Sequence, residues 1–554
     1  MTNEWRRWED ALQADVEPWE EDRARHESER ADALACDVSF GTGGIRALMG
    51  IGSNRLNRLT VARASAGLAA HLLSTNPSPT VVIAYDTRRH SADFARVAAG
   101  AFAAVGVRTI VFSKPCSTPL LSFAVPTLAA DAGVVLTASH NPMEYNGYKV
   151  YGPSGDQATD DLAHAVQAKI REFDPFDVPI EPFDEALRRG MVTWVDERIE
   201  DEYVRAVLAQ STRVDCSNIS VVYSPLNGCG LKPSQMVLEK LGVRYGLVEA
   251  QCSPDGTFPT CPKPNPELPA AMGLAMQQAL EEEADLALAN DPDADRIGVA
   301  VRRNGDMRLL TGDEVGLLLL DFLCNAHALP AQPVAITTIV SSPLLDVIAR
   351  DAGVELRRTL TGFKYIGEQI NLLEEQGRAD DFVVGVEESC GYLRGTYLRD
   401  KDGVVALMLA CEVAAWHKRR GKDLLEALEE LYERYGHVVS KQVSVEVNGV
   451  DGRNELAKLM ERLRTDAPKS VGGLAVGTVY DYVSGAPMPG DPSQKLPPAN
   501  VLQLDLVDDC RLIVRPSGTE PKVKAYCFAR GKTREQANAR LESMEVDARK
   551  LAHG

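Results

Sequence analysis

Short runs of β-branched and other apolar residues, each closed by turn-forming polar residues and followed by a helix-length stretch, recur along this chain. TVVIAYDTR (80–88), ISVVYSPLNG (219–228) and VAITTIVSSP (334–343) share the plan. Apolar runs without polar alternation predict strands buried on both faces, and the strand-then-helix order predicts βαβ units on parallel sheets. A later apolar run in each block ends in a denser polar cluster: DAGVVLTASHNP, ADLALANDPDADR and DFVVGVEESCGY. Ligands of open α/β sheets sit beyond the carboxyl ends of strands, so these polar ends are where chemistry is expected.

From about Gly436 the pattern changes to alternating strands, VSVEV, VLQLDL, RLIVRP and KVKAYCF, before a final helix over Thr533–Leu551. That predicts a smaller α+β domain. Near the start, Trp5, Trp8 and Leu12 stand at helical spacing among charges and predict an amphipathic surface helix with no chemistry of its own. The expected fold class is α/β, with three similar domains built on mainly parallel sheets and a C-terminal α+β domain. Their expected spans are 1–200, 201–312, 313–433 and 434–554.

Composition narrows the function. The 554 residues are 45% hydrophobic and 25% charged, as in ordinary soluble proteins. Apolar runs such as Val315–Leu323 fall short of the ~20 residues that cross a bilayer, and MTNEWRRWEDALQ lacks a signal-peptide core. A cytoplasmic protein without membrane association is expected. The eleven cysteines are scattered and form no C-x-x-C pair, against a disulfide framework or a structural zinc site. A formal charge of −19 repels nucleic acid, so an anionic ligand needs a local cluster of positive groups. The partners are therefore expected to be small molecules, with the chain a monomer or small homo-oligomer.

Ser139 follows a strand and precedes a His-Asn-Pro turn, a placement that suits a nucleophile, although a lone serine there is more often a turn or capping residue. The hydrolase elbow G-x-S-x-G is absent, so acyl transfer gains no support. Lys149 is expected to fold back beside Ser139 across a turn at Asn146 and Gly147, where a desolvated lysine can pass protons. Asp291, Asp293 and Asp295 alternate in NDPDADR; in an extended segment their carboxylates share one side and suit a hard cation such as Mg²⁺. An acidic turn is the plainer alternative. An EF-hand is excluded because Arg296 and Arg302 occupy its glycine and glutamate positions.

In VEESCGY, Glu387, Glu388 and Ser389 offer acceptors and a hydroxyl for a polyol. In RPSGTEPK, Arg515 and Lys522 flank Ser517, Gly518 and Thr519, a loop able to wrap a phosphate or to make a simple hairpin turn. Together, a hydroxyl, a hard cation, a polyol clamp and a phosphate cradle describe phosphoryl transfer on a phosphosugar. No nucleotide loop accompanies them: the string ending Gly531-Lys532-Thr533 has Tyr526 where the first glycine belongs.

These stretches resemble those of the α-D-phosphohexomutases, the phosphoglucomutase and phosphomannomutase superfamily. TASHNP with its downstream lysine, DPDADR, EES and RPSGTEP occur in that family's order, joined by FGTGGIRALMG and by RDKDG at 399–403. The wording of FGTGGIR and EYNGYKVY is most similar to the subgroup of the second-type phosphoglucomutase and the phosphopentomutases. The resemblance implies four domains around a central cleft and a mutase that works through a phosphoserine and a sugar 1,6-bisphosphate. Ser139 would carry the phosphoryl group and complete the Mg²⁺ ligands Asp291, Asp293 and Asp295. Lys149 would transfer protons, with His140, Arg46 and Arg296 nearby. Glu387 and Ser389 would hold sugar hydroxyls, aided by Gly362 and Lys364, while Arg515, Ser517, Gly518 and Thr519 would hold the unreacting phosphate. VEESCGY lacks the histidine of the E-x-S-G-H branches, which disfavours aminosugars. Glucose phosphate is the expected substrate, with mannose and pentose phosphates as alternatives and a non-catalytic sugar-phosphate sensor as the rival of another class.

Overall fold

The computed structural model describes residues 2–12, 27–41, 43–446, 452–489, 491–516 and 522–553. The chain divides into two compact units, one of Met1–Leu310, Gly367–Ala379 and Cys390–Lys418, the other of Thr311–Ile366, Asp380–Ser389 and Arg419–Gly554. No helix among the described residues is long and apolar enough to cross a membrane.

In the first unit, β1 (Gly44–Leu48), β2 (Thr80–Tyr85), β3 (Arg108–Val111), β4 (Ala132–Leu136), β5 (Tyr145–Tyr151) and β6 (Val192–Trp194) form one sheet in the order β1-β5-β4-β2-β3-β6. A second sheet contains β7 (Ser220–Ser224), β8 (Arg244–Leu247), β9 (Leu286–Asn290), β10 (Ile297–Arg303) and β11 (Asp306–Leu309), ordered β11-β10-β9-β7-β8. The expected first helix is Thr2–Leu12, and its Trp5, Trp8 and Leu12 are buried in a small cluster with Ala33, Ile51 and Leu59.

The second unit repeats the central arrangement with β12 (Val334–Thr338), β13 (Glu355–Thr359) and β14 (Phe382–Glu387), in which β12 pairs in parallel with both neighbours. The three cores β3-β2-β4, β8-β7-β9 and β13-β12-β14 therefore share one strand order and direction. The middle strands β2, β7 and β12 and their neighbours β4, β9 and β14 are buried on both faces, as sheets covered by helices on each side require, whereas β3, β8 and β13 carry charged residues. The sheets of these three domains are mainly parallel, as expected, and become mixed at one edge. β5 runs antiparallel to β4, and β10 to β9 and β11, because short connections between these successive strands reverse the chain, while β1 adds antiparallel to the outer side of β5.

Beyond β14 the chain contributes β15 (Gly391–Leu393) and helix Gly403–Lys418 to the first unit, then returns to the second. There β16 (His437–Glu446), β17 (Ser470–Val471), β18 (Leu474–Asp481), β19 (Ala486–Met488), β20 (Asp491–Leu496), β21 (Leu502–Leu506), β22 (Arg511–Pro516) and β23 (Lys522–Gly531) follow. β19 and β20 make a separate hairpin, and the others form an antiparallel sheet ordered β16-β23-β22-β21-β18-β17. Helices Gly452–Thr465 and Arg534–His553 supply apolar side chains to its core. This is the expected C-terminal α+β domain.

One loop of the second unit is tied from several sides. After β12, the carbonyls of Thr338, Ser341 and Ser342 accept from the buried guanidinium of Arg358, which also pairs with Asp346 at 2.6 Å. Thr338 Oγ1 donates to Glu388 Oε2 at 2.8 Å, and the Ser342 N–H donates to Asp313 Oδ1 at 2.8 Å. Asp313 Oδ2 accepts from Ser440 Oγ of β16 at 2.9 Å. Burial and the adjacent Glu387 charge push the Glu388 carboxyl up to about 7, and burial pushes Asp313 up to about 6.

A carboxyl raised on folding stabilises below its unfolded value and loses that contribution as pH rises through its folded value. The melting transition of the second unit should therefore shift down between pH ~5 and ~8, and Glu388→Gln should flatten that dependence, measured by calorimetry across this range. An unchanged slope in Glu388→Gln would contradict the assignment.

Candidate active site

The candidate nucleophile stands just past β4. The chain turns over residues 139–144 and returns as β5, where Lys149 lies opposite Val135. The expected turn at Asn146 and Gly147 is corrected: both lie inside β5. Glycine is required there by crowding, because a Cβ on Gly147 would stand 2.3 Å from the Thr137 carbonyl oxygen and 2.7 Å from that of Ile45. Ser139 adopts φ 52°, a left-handed conformation that costs a non-glycine residue about 1 kcal/mol. Its hydroxyl donates to Asp291 Oδ2 at 2.7 Å and lies 3.2 Å from His140 Nδ1. Burial, with Arg296 and Arg46 nearby, holds His140 well below the ordinary imidazole range.

The three aspartates meet beyond β9, and their buried carboxylates converge within 4.8 Å of one another. They do so through a tight turn, which corrects the extended segment expected from their alternation. Ala294 takes φ 54°, and its N–H donates to the Asp291 carbonyl at 2.8 Å. Asp291 Oδ1 accepts from the Asp295 and Arg296 N–H groups at 3.1 and 3.0 Å. Neighbouring segments grip the turn: Cys229 N–H donates to the Pro292 carbonyl, Thr118 N–H to that of Asp293 and Gly403 N–H to that of Ala294. A Cβ on Gly403 would fall 2.5 Å from the Arg296 carbonyl oxygen, so only glycine lets helix Gly403–Lys418 begin there.

Positive groups surround the acids. Lys149 Nζ lies 3.1 Å from Asp293 Oδ2 and 3.8 Å from Asp295 Oδ2, and Lys401 Nζ lies 2.9 Å from Asp295 Oδ2. Arg296 Nε is 3.7 Å from Asp295 Oδ1, while its Nη1 reaches Glu267 at 2.6 Å. Burial and the charges of Asp295 and Asp293 push Asp291 well above the usual carboxylate range. Asp293 is held below it despite burial, chiefly by Lys149. Buried Asp293 Oδ1 and Asp295 Oδ1 accept no hydrogen bond. Carboxylate oxygens of this kind suit a hard divalent cation. The site thus brings together Ser139, His140, Lys149, Asp291, Asp293, Asp295 and Arg296. Arg46 joins them on β1, its guanidinium 3.3 Å from Asn141 Oδ1.

Two residues of YDTRR, Asp86 and Arg88, were not singled out from the sequence, where they read as loop charges. Arg88 is buried and donates to the carbonyls of Ser139, Asn141, Pro142 and Tyr145. Asp86 accepts from Thr137 Oγ1 at 2.6 Å and Ser91 Oγ at 2.8 Å. Lys401 of RDKDG likewise carries no mark in the sequence of its pairing with Asp295. An apolar run ending in Asp-Thr-Arg is the signal available for the pair, since a strand end is where a buried charge can find loop carbonyls.

The remaining candidates belong to the second unit. Glu387 ends β14 and is buried, with Ser389 partly buried after it. Gly362 has φ 121°, and Lys364 Nζ lies 4.8 Å from the Tyr365 ring centroid. Arg515 stands on β22 opposite Lys524, and Lys522 opens β23 opposite Glu446. Ser517, Gly518 and Thr519 lie outside the described residues.

Profiles of the phosphoglucomutase/phosphomannomutase α/β/α domains I, II and III match residues 37–175, 201–305 and 311–435. The phosphoglucomutase of Staphylococcus aureus strain MSSA476 is 33% identical over 525 residues, 93% of this chain and 94% of that protein. That of Staphylococcus haemolyticus strain JCSC1435 is 35% identical over 497 residues, covering 88% and 90%. Among solved structures, the open form of the phosphoglucomutase pp63/parafusin from Paramecium superposes with a TM-score of 0.71 at 18% identity, covering 94% of this chain and 96% of that one. A phosphoglucomutase/phosphomannomutase family protein of Burkholderia thailandensis gives 0.69 at 19%, covering 92% and 96%. These two likenesses concern the fold, whereas the profile matches and the staphylococcal relatives span the sequence that carries the serine and aspartate loops. On that footing the chain belongs to the phosphoglucomutase/phosphomannomutase family and is a phosphohexomutase, an isomerase that moves a phosphoryl group within its substrate.

Proposed function

We propose that the protein interconverts glucose 1-phosphate and glucose 6-phosphate through a phosphoserine at Ser139 and glucose 1,6-bisphosphate. The observation that carries this reading is Ser139 Oγ 2.7 Å from Asp291, within a buried acidic triad and beside a lysine 3.1 Å from Asp293. The glucose assignment is supported by the phosphoglucomutase name of the staphylococcal relatives.

In the forward half-reaction the bond from phosphorus to Ser139 Oγ breaks as a bond forms to the free sugar hydroxyl. Lys149 takes that hydroxyl's proton and returns it in the reverse step. The bisphosphate then turns end for end and gives its other phosphoryl group to Ser139 Oγ. Asp291, Asp293 and Asp295 would hold Mg²⁺, which offsets phosphoryl charge when bound. His140, Arg46 and Arg296 orient the reacting phosphate, and the burial of Ser139 limits hydrolysis, which would turn a mutase into a phosphatase. Glu387, Ser389, Gly362 and Lys364 are assigned to the sugar, and Arg515 and Lys522, with Ser517, Gly518 and Thr519, to the phosphate that does not react. Segments 1–200, 201–312, 313–433 and 434–554 are proposed as the corresponding domains.

A coupled assay over glucose, mannose, ribose, deoxyribose and N-acetylglucosamine phosphates should give the highest kcat/KM with glucose phosphate and little free phosphate. Exhaustive chelation should stop turnover and added Mg²⁺ restore it; preference for another sugar, dominant phosphate release or activity without metal would overturn the corresponding assignment. Ser139→Ala should lower kcat by roughly four orders of magnitude while calorimetric binding of the sugar phosphate persists. Retained turnover would reject the phosphoserine. Arg515→Ala, which removes a charge-assisted phosphate contact, should raise KM about tenfold and lower the rate; wild-type kinetics would remove Arg515 from the site.

A further inference from the structure

Every polar group of Ser139 is spoken for. Its hydroxyl faces Asp291, its N–H donates to Thr137 Oγ1 at 2.8 Å, and its carbonyl accepts from Arg88 Nη2 at 2.5 Å. Thr137 Oγ1 in turn donates to Asp86 Oδ2 at 2.6 Å, and Asp86 Oδ2 lies 3.3 Å from Arg88 Nε. The two ends of the Ser139 residue are thus held by one connected pair. We infer that Asp86, Arg88 and Thr137 form a positioning unit that holds the phosphoryl carrier in its left-handed conformation. The inference rests on the proposed role of Ser139 in carrying the phosphoryl group.

The pair is built to act through the loop. Asp86 and Arg88 are 1% and 3% exposed. Asp86 Oδ1 is occupied by Ser91 Oγ at 2.8 Å and the Arg88 N–H at 2.9 Å, and Oδ2 by Thr137. The Arg88 guanidinium also donates to Asn141 O at 2.5 Å, Pro142 O at 2.9 Å and Tyr145 O at 3.2 Å, and its free face covers the Phe258 ring at 4.9 Å. Four carbonyls of one turn converging on a single cation fix the path of that turn from Ser139 to the start of β5. A planar fork with donors on both sides can do this, and an ammonium cannot.

Thr137 supplies the other half of the clamp. Its hydroxyl donates to Asp86 while accepting from Ser139 N–H, so one oxygen joins the buried carboxylate to the backbone of the nucleophile. Without it, the N–H of a residue strained at φ 52° loses its partner, and the remaining tie of the carbonyl to Arg88 no longer holds Ser139 Oγ on the line towards Asp291. A displacement of about 1 Å at a reacting atom costs on the order of 100-fold in rate. Substrate binding, which uses other groups, is left alone.

Thr137→Val removes that hydroxyl at constant shape, and Thr137→Ser keeps it. With the full-length, Mg²⁺-supplemented enzyme, Thr137→Val should lower kcat on the order of 10- to 100-fold with KM within about twofold, and should slow the phosphorylation of Ser139 by sugar bisphosphate to the same extent, followed by intact mass. Thr137→Ser should restore both. Arg88→Lys should reproduce the loss of kcat and keeps the test open if Thr137→Val folds poorly by its melting temperature. Wild-type kcat in folded Thr137→Val, a loss confined to KM, or equal damage in Thr137→Ser would overturn the inference. An inactive Ser139→Ala beside a normal Thr137→Val would reject the positioning unit alone, whereas an active Ser139→Ala would reject the carrier itself.

Discussion

Three carboxylates buried within 4.8 Å of one another are the constraint around which the first unit is organised. Like charges at such range in a poorly solvated site repel strongly, and burial alone already disfavours each of them. The chain answers with Lys149, Lys401 and Arg296 at 2.9–3.7 Å, with backbone N–H groups on Asp291 Oδ1, and with oxygens left open towards a cation. The Ser139 hydroxyl, which donates to Asp291, is the atom to which the proposed function gives the phosphoryl group. On that proposal, charge compensation and chemistry fall on the same atoms.

Holding such a cluster requires rigid loops, and the same solution recurs at each parallel core. The loop after the middle strand braces the functional loop of the strand beside it. After β2, Asp86 and Arg88 brace Ser139; after β7, Cys229 N–H takes the Pro292 carbonyl; after β12, Thr338 Oγ1 takes Glu388. Arg88 and Arg358 are parallel devices, each a buried guanidinium donating to several carbonyls of one loop and paired with one aspartate.

The parallel strands and the residues at their ends were legible because buried β-branched runs and dense polar clusters leave a local trace. Ser139 and the aspartates could be found for that reason. Their geometry could not. Asn146-Gly147 reads as a turn because glycine is the usual turn former, yet here it answers to the crowding of Thr137 and Ile45 oxygens on either side. The alternation of Asp291, Asp293 and Asp295 suggested an extended strand, while Ala294 turns the chain through a conformation that alanine rarely takes. Arg88 escaped notice because a single arginine in a loop carries no mark of the four carbonyls awaiting it. The edge strands were missed as well, since antiparallel pairing alters no hydrophobic period.

Because Ser139 and Asp291 stand just past β4 and β9 and Glu387 ends β14, strands that hold the same place in their cores, the proposed function gives three different tasks to one architectural address. Such a layout separates folding from chemistry: the buried interior of each core lies beneath a different polar rim, with a brace next door to each. Duplicated modules of this kind are free to diverge at their tips while their frames stay alike, which makes each strand end an exchangeable mount for new specificity.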